Sequence, residues 1–368
     1  MRAAVIGAGV VGSCVGWNLA RRGTEVLLID AGPPGAGVSD WTFAWLNASN
    51  KTRTREYFDL NVAGLTAHRD LAAALRPAGW LHLTGNLRWA DSPAGAQALR
   101  AAADRLAAWG YDVALWPAER VARILEPGVR LPGDETEVAF YRDEGWADGR
   151  ELAVRLLSES LGHGAEAHFG RPVTGITVTG GRVAEITLDG GQRFPVDAVV
   201  NAAGPAGAAI AGLAGRNLPM RDDPGLIARL RCEPAPVRRV LHAPHVTLRP
   251  DGPGRVLIHS REIDDLLTPG RDIGELTERL RRLAADVAPA LHGAELIEAR
   301  VARRPIPADG FPSVGADSGV AGYYEAVTHS GITLGPVIGE LLAAEILDGT
   351  VDARIAPFRP DRFPPEAP

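Results

Sequence analysis

Gly7, Gly9 and Gly12 fall at the spacing G-x-G-x-x-G between two apolar runs, Arg2–Ile6 and Glu25–Ile29, and the second run ends in Asp30. Residues of these types in this order suit the chemistry of phosphate and ribose. Gly7 permits a tight turn, Gly9 lets backbone approach a pyrophosphate, and Gly12 lets a helix over Gly12–Arg22 pack on the preceding strand. The N-terminus of that helix stabilises phosphate charge, and Asp30 accepts hydrogen bonds from a ribose hydroxyl pair. The spacing predicts a strand–turn–helix–strand unit that binds a dinucleotide. The same glycines interrupt Met1–Ala20, which otherwise imitates a secretory leader.

Other residues with chemical potential are few. Lys51 is the only lysine in an arginine-rich chain, and Arg53 and Arg55 follow it. Arg300, Arg303 and Arg304 cluster ahead of Pro305-Ile-Pro-Ala-Asp309. Cys14 and Cys232 are too few for a disulfide framework and suit a reducing cytoplasm. No group of His, Cys and carboxylates has metal-ligand spacing, so no metal is expected. His82, His242 and His245 read as structural or exposed. Trp80, Trp89, Trp109 and Trp116 read as core, whereas Trp45 and Trp146 are candidate pocket walls.

The elements that must position these residues follow from periodicity. After Asp30 the chain leaves the regular pattern of a nicotinamide dehydrogenase and enters a glycine-rich loop, Ala31–Ser39, and then Trp41–Ser49. Helical spacing marks Thr54–Arg76, Gly95–Trp109, Pro117–Ile124 and Asp272–Val287. A strand-like stretch covers Trp80–Ala90. Asp148-Gly-Arg-Glu151 is a capping box ahead of a helix that reaches about Leu161. Val173–Thr179 and Arg182–Leu188 alternate with period two around Gly180-Gly181, a hairpin. Phe194–Val200 is a continuous apolar strand that runs into Asn201-Ala-Ala-Gly204, small residues that let a ligand approach backbone. Val240–Leu248 alternates but is broken by Pro244, and Arg255–Ser260 reads as a further strand.

Composition bounds the rest. The 368 residues are 46% hydrophobic and 23% charged, enough apolar material for about two domains. A net charge of −6 gives no basic face for nucleic acid. No uncharged apolar run of about 18 residues is present, so no membrane span is expected. Homo-oligomerisation is left open.

Four segments in order carry a resemblance over nearly the whole chain: the glycine fingerprint with its acid, Asp197-Ala-Val-Val-Asn-Ala-Ala-Gly204, Arg304-Pro-Ile-Pro-Ala-Asp-Gly-Phe-Pro312 and Thr328-His-Ser-Gly-Ile-Thr-Leu-Gly-Pro336. Together they resemble the D-amino-acid oxidase superfamily, nearest its glycine oxidase and sarcosine oxidase branch. The resemblance implies an α/β (α+β) chain with a Rossmann-like FAD-binding domain of the glutathione-reductase type and a discontinuous substrate domain on a mixed β-sheet. The FAD domain would comprise 1–80, 145–215 and 300–368, and the substrate domain 81–144 and 216–299. It implies oxidation of an amine or amino acid by hydride transfer to flavin N5, giving an imine, with molecular oxygen reoxidising the flavin to hydrogen peroxide. The alternatives are a dehydrogenase of the same fold using a quinone or other acceptor, and a nucleotide-binding protein without redox turnover.

Site roles follow from the same resemblance. Gly7, Gly9, Val10, Val11 and Gly12 would hold the pyrophosphate, and Asp30 and Ala31 the adenosine ribose. Val173 would meet the adenine through its backbone, and Ala203 and Gly204 the ribityl–phosphate span. Ser39, Asn47 and Ala48 would run beside the flavin ring. Gly331, Ile332 and Thr333, just before a helix over Val337–Leu347, would turn their amides to the flavin pyrimidine. Arg304 would clamp the substrate carboxylate at the cofactor, with the register open towards Arg303. Lys51, His259 and His329 are further candidates at the reacting centre, Lys51 as a charge that activates oxygen; the other reading of Lys51 is a solvated lysine at a helix start. Sarcosine oxidases tether flavin through a cysteine after the arginine region; Ala302–Val327 contains none, and Ser39–Asn50 contains no histidine. Noncovalent FAD is the expectation.

Overall fold

The computed structural model describes residues 1–133 and 136–364; the last four residues of the segment 300–368 lie outside them. A six-stranded sheet runs in the order Ser313–Ala316, Tyr323–Val327, Ala198–Asn201, Arg2–Ile6, Glu25–Asp30, Glu166–Phe169, parallel except for Ser313–Ala316. Because side chains alternate faces along a strand, Ala3 and Val5 pack under the helices while Ala4 and Ile6 pack on the hairpin sheet beneath. Both faces are covered, which is why these strands read as unbroken apolar runs.

The hairpin forms as expected, Val173–Thr179 paired with Arg182–Leu188. The Phe194–Val200 run, however, is two strands. Arg193–Pro195 pairs with the hairpin, and Ala198–Asn201 crosses to the parallel sheet, where Asp197 N–H donates to Arg2 carbonyl at 2.8 Å. Pro195 lacks a ladder donor and ends the first strand.

An eight-stranded mixed sheet draws its strands from residues 86–141 and 224–303. Leu226, Ala228 and Leu230 face the helix Ile273–Val287, which buries Leu276, Leu280 and Ala284 at fourfold spacing under an Asp272 cap. Ile227, on the opposite face, packs against Trp41. The Val240–Leu248 run is a hairpin, Val240–His242 with Thr247–Pro250, and Pro244 lies in its turn. Four strands of this sheet escaped the periodicity: Val113–Pro117, Glu137–Tyr141, Pro224–Arg231 and Glu295–Arg303. A small third sheet, Trp45–Leu46, Gly145–Ala147 and Leu81–His82, joins residues of both segment sets. No helix among the described residues is long and apolar enough to cross a membrane.

The last long helix corrects the sequence reading. It spans Gly331–Asp348 and carries Pro336 inside it, so Gly331, Ile332 and Thr333 are its first turn rather than a preceding loop. A proline there removes the donor to the carbonyl four residues earlier, that of Ile332. His68, fully buried on the helix Arg55–Ala74, supplies the replacement: its Nε2 lies 2.7 Å from Ile332 O. Burial lowers the His68 pKa to about 4, the hydrogen bond partly opposing it. The folded state therefore binds fewer protons than the unfolded chain between pH 6.5 and about 4, and stability is lost as pH falls through that window. His68→Gln keeps a donor and removes the titration. Urea unfolding from pH 7 to 4 is expected to show the acid-side loss shrink by about 3 kcal/mol in this variant; an unchanged slope places the acid sensitivity elsewhere.

Candidate functional site

The C-terminal ends of the parallel strands Arg2–Ile6, Glu25–Asp30 and Ala198–Asn201 converge, where open α/β sheets bind ligands. A cleft of about 500 Å³ lies there, walled by Gly7, Gly9, Asp30, Val173, Ala203 and Gly204, among others. Gly7 has a φ of +109°, and a Cβ on Gly12 would run into the Gly7 carbonyl, so the turn and the close helix approach both need glycine. Both Asp30 oxygens are oriented by backbone, accepting from Ala8 N at 2.7 Å and Gly32 N at 2.8 Å. Ser39 reaches across the cleft, its hydroxyl accepting from Val10 N at 3.0 Å. The helix over Val10–Ala20 therefore turns its remaining N-terminal amides, including Val11, to the cleft; Ala31 lines the adjacent wall.

A second cavity, about 770 Å³, opens between the two large sheets. Val38, Thr42, Pro305, His329 and Ile332 line both, so the two adjoin. At their junction the amides of Gly331, Ile332 and Thr333 begin the long helix, and the first four N–H groups of a helix have no partner within it. The Thr333 hydroxyl bridges Trp45 O and Asn47 N, each at 3.3 Å. Asn47 Oδ1 is buried without a hydrogen-bond partner, a polar atom left for a ligand.

Ala48 is fully buried. Its amide donates to Glu144 Oε1 at 3.1 Å and so is already engaged. Glu144 is fully buried and accepts from four more groups: Ser49 N, Tyr111 OH, Trp45 Nε1 and Asn86 Nδ2, at 2.8 to 3.0 Å. Burial raises its pKa, with the Ser49 and Tyr111 hydrogen bonds opposing. One carboxylate thus fixes the loop of Trp45–Ser49. Sequence reasoning passed over it in Phe140–Trp146, because a single glutamate has no spacing to mark it.

Lys51 is buried, 8% exposed, and lines the cavity; the solvated reading of this residue fails. Desolvation brings its ammonium down to about 8, with Glu144 pulling the other way. His329 projects into the junction, where desolvation and then the cations Lys51, Arg304 and Arg261 hold its imidazole at about 3. His242 also lines the cavity, and His245 stands at its edge, 53% exposed as the sequence suggests. His242 Nδ1 is 3.0 Å from Asn86 Oδ1 and its ring lies 3.9 Å from Trp45. Trp89 reaches the cavity as well, whereas Trp146 stacks on His82 away from it.

Arg303 and Arg304 differ in burial and partners. Both line the cavity: Arg303 ends the strand Glu295–Arg303 with its side chain 66% exposed, and Arg304, just past it, is 18% exposed. Arg304 is not free. It pairs with Asp264, with Asp223 at 2.7 Å and with the Pro224 carbonyl at 3.1 Å. His259 Nε2 is 2.8 Å from Asp264, so His259 belongs to this ion-pair cluster. Burial would raise the Asp264 pKa, but the His259 hydrogen bond and Arg304 outweigh it and keep the carboxyl below its ordinary range. Among the described residues no group of three His, Cys, Asp or Glu side chains is arranged to hold a metal ion.

A parallel sheet whose strand ends form a dinucleotide cleft, adjoining a cavity lined by cations and histidines, defines a two-sheet dinucleotide-dependent oxidoreductase. Residues 2–345 match the family described as DAO, FAD dependent oxidoreductase, and the chain belongs to it. It is an FAD-dependent enzyme. It is similar to the uncharacterised oxidoreductase YurR of Bacillus subtilis (strain 168), 26% identical over 97% of each chain. It is also similar to glycine oxidase of Geobacillus kaustophilus (strain HTA426), 25% identical over 96% of this chain and 95% of that one. The crystal structure of glycine oxidase from Geobacillus kaustophilus superposes with a TM-score of 0.88 at 24% identity, covering 98% of this chain and 99% of that one.

Proposed function

We propose that this protein oxidises the C–N bond of an amino acid or related amine, with noncovalently held FAD as hydride acceptor and molecular oxygen as the final one. The observation that carries this reading is that the nucleotide cleft adjoins the Arg304 cavity, with His329 and Ile332 in the wall of both. The cleft fits the group: glycine backbone at the turn, an oriented Asp30, and an orphaned Asn47 Oδ1 beside the helix start. When bound, FAD supplies the two-electron acceptor. Gly7, Gly9, Val10, Val11 and Gly12 hold its pyrophosphate, Asp30 and Ala31 its ribose, Val173 its adenine, and Ala203 and Gly204 the span beyond. Ser39 and Asn47 flank the ring, and the Gly331–Thr333 amides stabilise negative charge at its pyrimidine edge.

On the substrate side, Arg304 orients a carboxylate and the cavity walls exclude water from the α-carbon. His242 and His329, their imidazoles held neutral by desolvation, accept hydrogen bonds from an uncharged amine more readily than charged rings would. The domain division 1–80, 145–215 and 300–368 against 81–144 and 216–299 is supported by the segments that feed each large sheet. Free Cys14 and Cys232 fit a cytoplasmic setting. Cys14 is buried between helices, its thiol pushed far up by desolvation, and is unsuited to attach flavin.

A peroxide-coupled screen of amino acids, N-alkyl amino acids and simple amines tests the proposal. Yellow protein, flavin wholly released by acid precipitation, and peroxide under air are the expected results. Substrate-dependent bleaching without peroxide shows a dehydrogenase instead, and no bleaching with any amine overturns the reading.

Lys51 gives a separate pH test. Its charge is present below about pH 8 and lost above. Oxygen reactivity of the reduced enzyme is expected to fall as pH rises through 8 in the wild type. It should be lower and flat in Lys51→Met, with anaerobic reduction nearly unchanged. Equal oxygen rates in the two stopped-flow traces return Lys51 to a packing role.

A further inference from the structure

Two carboxylates face one guanidinium at Arg304, and they are not equivalent. Asp264 is 1% exposed and is locked from three sides: its Oδ1 accepts from Leu226 N at 2.8 Å, and its Oδ2 holds both His259 and Arg304. That pair is a fixture of the fold. Asp223 sits on the cavity side, its side chain 18% exposed, and bonds the other terminal nitrogen of Arg304. Its second partner is Arg261, at 3.0 Å, itself 62% exposed at the cavity wall. Asp223 backbone is pinned, since Arg304 N donates to Asp223 O at 3.0 Å and Pro224 pairs with Arg303 in the sheet. Only the side chain is free to turn.

The cations around Arg304 are already more than matched: Arg304 and Arg261 face Asp223, Asp264 and Asp265, the last 3.1 Å from Arg261. An incoming carboxylate that joined this set with Asp223 in place would meet a like charge at the same guanidinium edge, which is costly in a partly desolvated site. The arrangement works for an anionic substrate only if Asp223 leaves that edge, and Arg261 stands where the displaced carboxylate can go. Gly225 contributes the room: the Arg304 guanidinium lies against its bare backbone, where a Cβ would collide with it.

We propose that Asp223 is an internal stand-in for the substrate carboxylate, occupying Arg304 in the resting enzyme and displaced onto Arg261 when an α-carboxylate binds. Asp223 is thereby a specificity-determining residue. It weakens the grip on any carboxylate and sets how well a ligand must compete to be held. The inference rests on Arg304 being the carboxylate clamp of the proposed function.

The test titrates FAD-loaded enzyme with acetate and with its neutral isostere acetamide, reading the perturbation of flavin absorbance. Asp223→Asn keeps the size and removes the competing charge. Acetate is expected to bind roughly five- to thirty-fold more tightly to it, with the acetate-to-acetamide preference rising in step. Turnover should change in the same direction, through KM of an amino acid rather than kcat. Arg261→Gln, an exposed change that spares the fold, removes the receiving cation and is expected to weaken acetate several-fold while Arg304 is intact. Acetate affinity unchanged or weakened by Asp223→Asn overturns the proposal. So does an Arg261→Gln enzyme that binds acetate as wild type does. Arg304→Ala separates the two levels: if it leaves the preference for acetate over acetamide untouched, the clamp reading itself fails.

Discussion

Purified Gly9→Val protein is expected to be colourless. A Cβ at Gly9 would stand 2.9 Å from Ser39 Oγ, which is itself held by Val10 N at 3.0 Å. A branched side chain there fills the space between the turn and the Ser39 loop, where the pyrophosphate has to lie. Overpacking of this kind costs about 1–3 kcal/mol, about 5- to 150-fold in affinity for FAD, before the lost phosphate contacts are counted. Gly9 is the clean position for this test. Gly7 and Gly12 would each drive a Cβ into backbone, the Ala202 and Gly7 carbonyls respectively, and so disturb the fold together with the site. Gly162→Ala, where nothing lies within 4 Å of the added carbon, should keep its colour. A Gly9→Val protein that retains one flavin per chain would sink the assignment of the cleft.

The nucleotide half of the site was legible because its requirements are local. A tight turn, a close helix and an acid at a strand end each demand a residue type at a fixed offset, and the sequence from Gly7 to Asp30 displays all of them. The hairpin at Gly180-Gly181 and the Asp272 cap were legible for the same reason: each is decided within a few residues. The parts that were missed depend on distant partners. The long helix was read as starting after Pro336, the usual place for a break. It starts six residues earlier than Val337 because His68 takes the carbonyl that Pro336 leaves without a donor. Glu144 is invisible in one dimension, since its five donors come from residues 45 to 111. Lys51 looked like a solvated lysine at a helix start. Its burial follows from the packing of the Trp45–Ser49 loop against Glu144, which no periodicity encodes. Arg304 was singled out from the sequence, but the two aspartates that hold it lie 81 and 40 residues away.

Arg304→Ala is expected to lower kcat/KM for an amino acid by roughly 30- to several-thousand-fold, since removing one partner of a buried charge pair costs about 2–5 kcal/mol and each 1.36 kcal/mol is tenfold. The ion pairs complicate the raw rate. Taking away the guanidinium also leaves Asp264, 1% exposed, without its cation, so part of the loss will be stability. A ratio removes that ambiguity. Each folded molecule sees an amino acid and its decarboxylated amine alike, so their relative kcat/KM does not depend on how much protein is folded. Wild type should prefer the acid strongly, and the alanine variant should lose most of that preference. Arg304→Lys should restore the stability more fully than the preference, because an ammonium satisfies Asp264 as a point charge but cannot present two parallel donors to a carboxylate. Flavin content should be the same in all three proteins, since the Arg304 guanidinium is engaged by Asp223, Asp264 and Pro224 on the substrate side. If the alanine variant keeps the wild-type preference, the carboxylate is held elsewhere in the cavity. Lys51 would be the next residue to replace, as the buried cation for which no ion pair is found among the described residues.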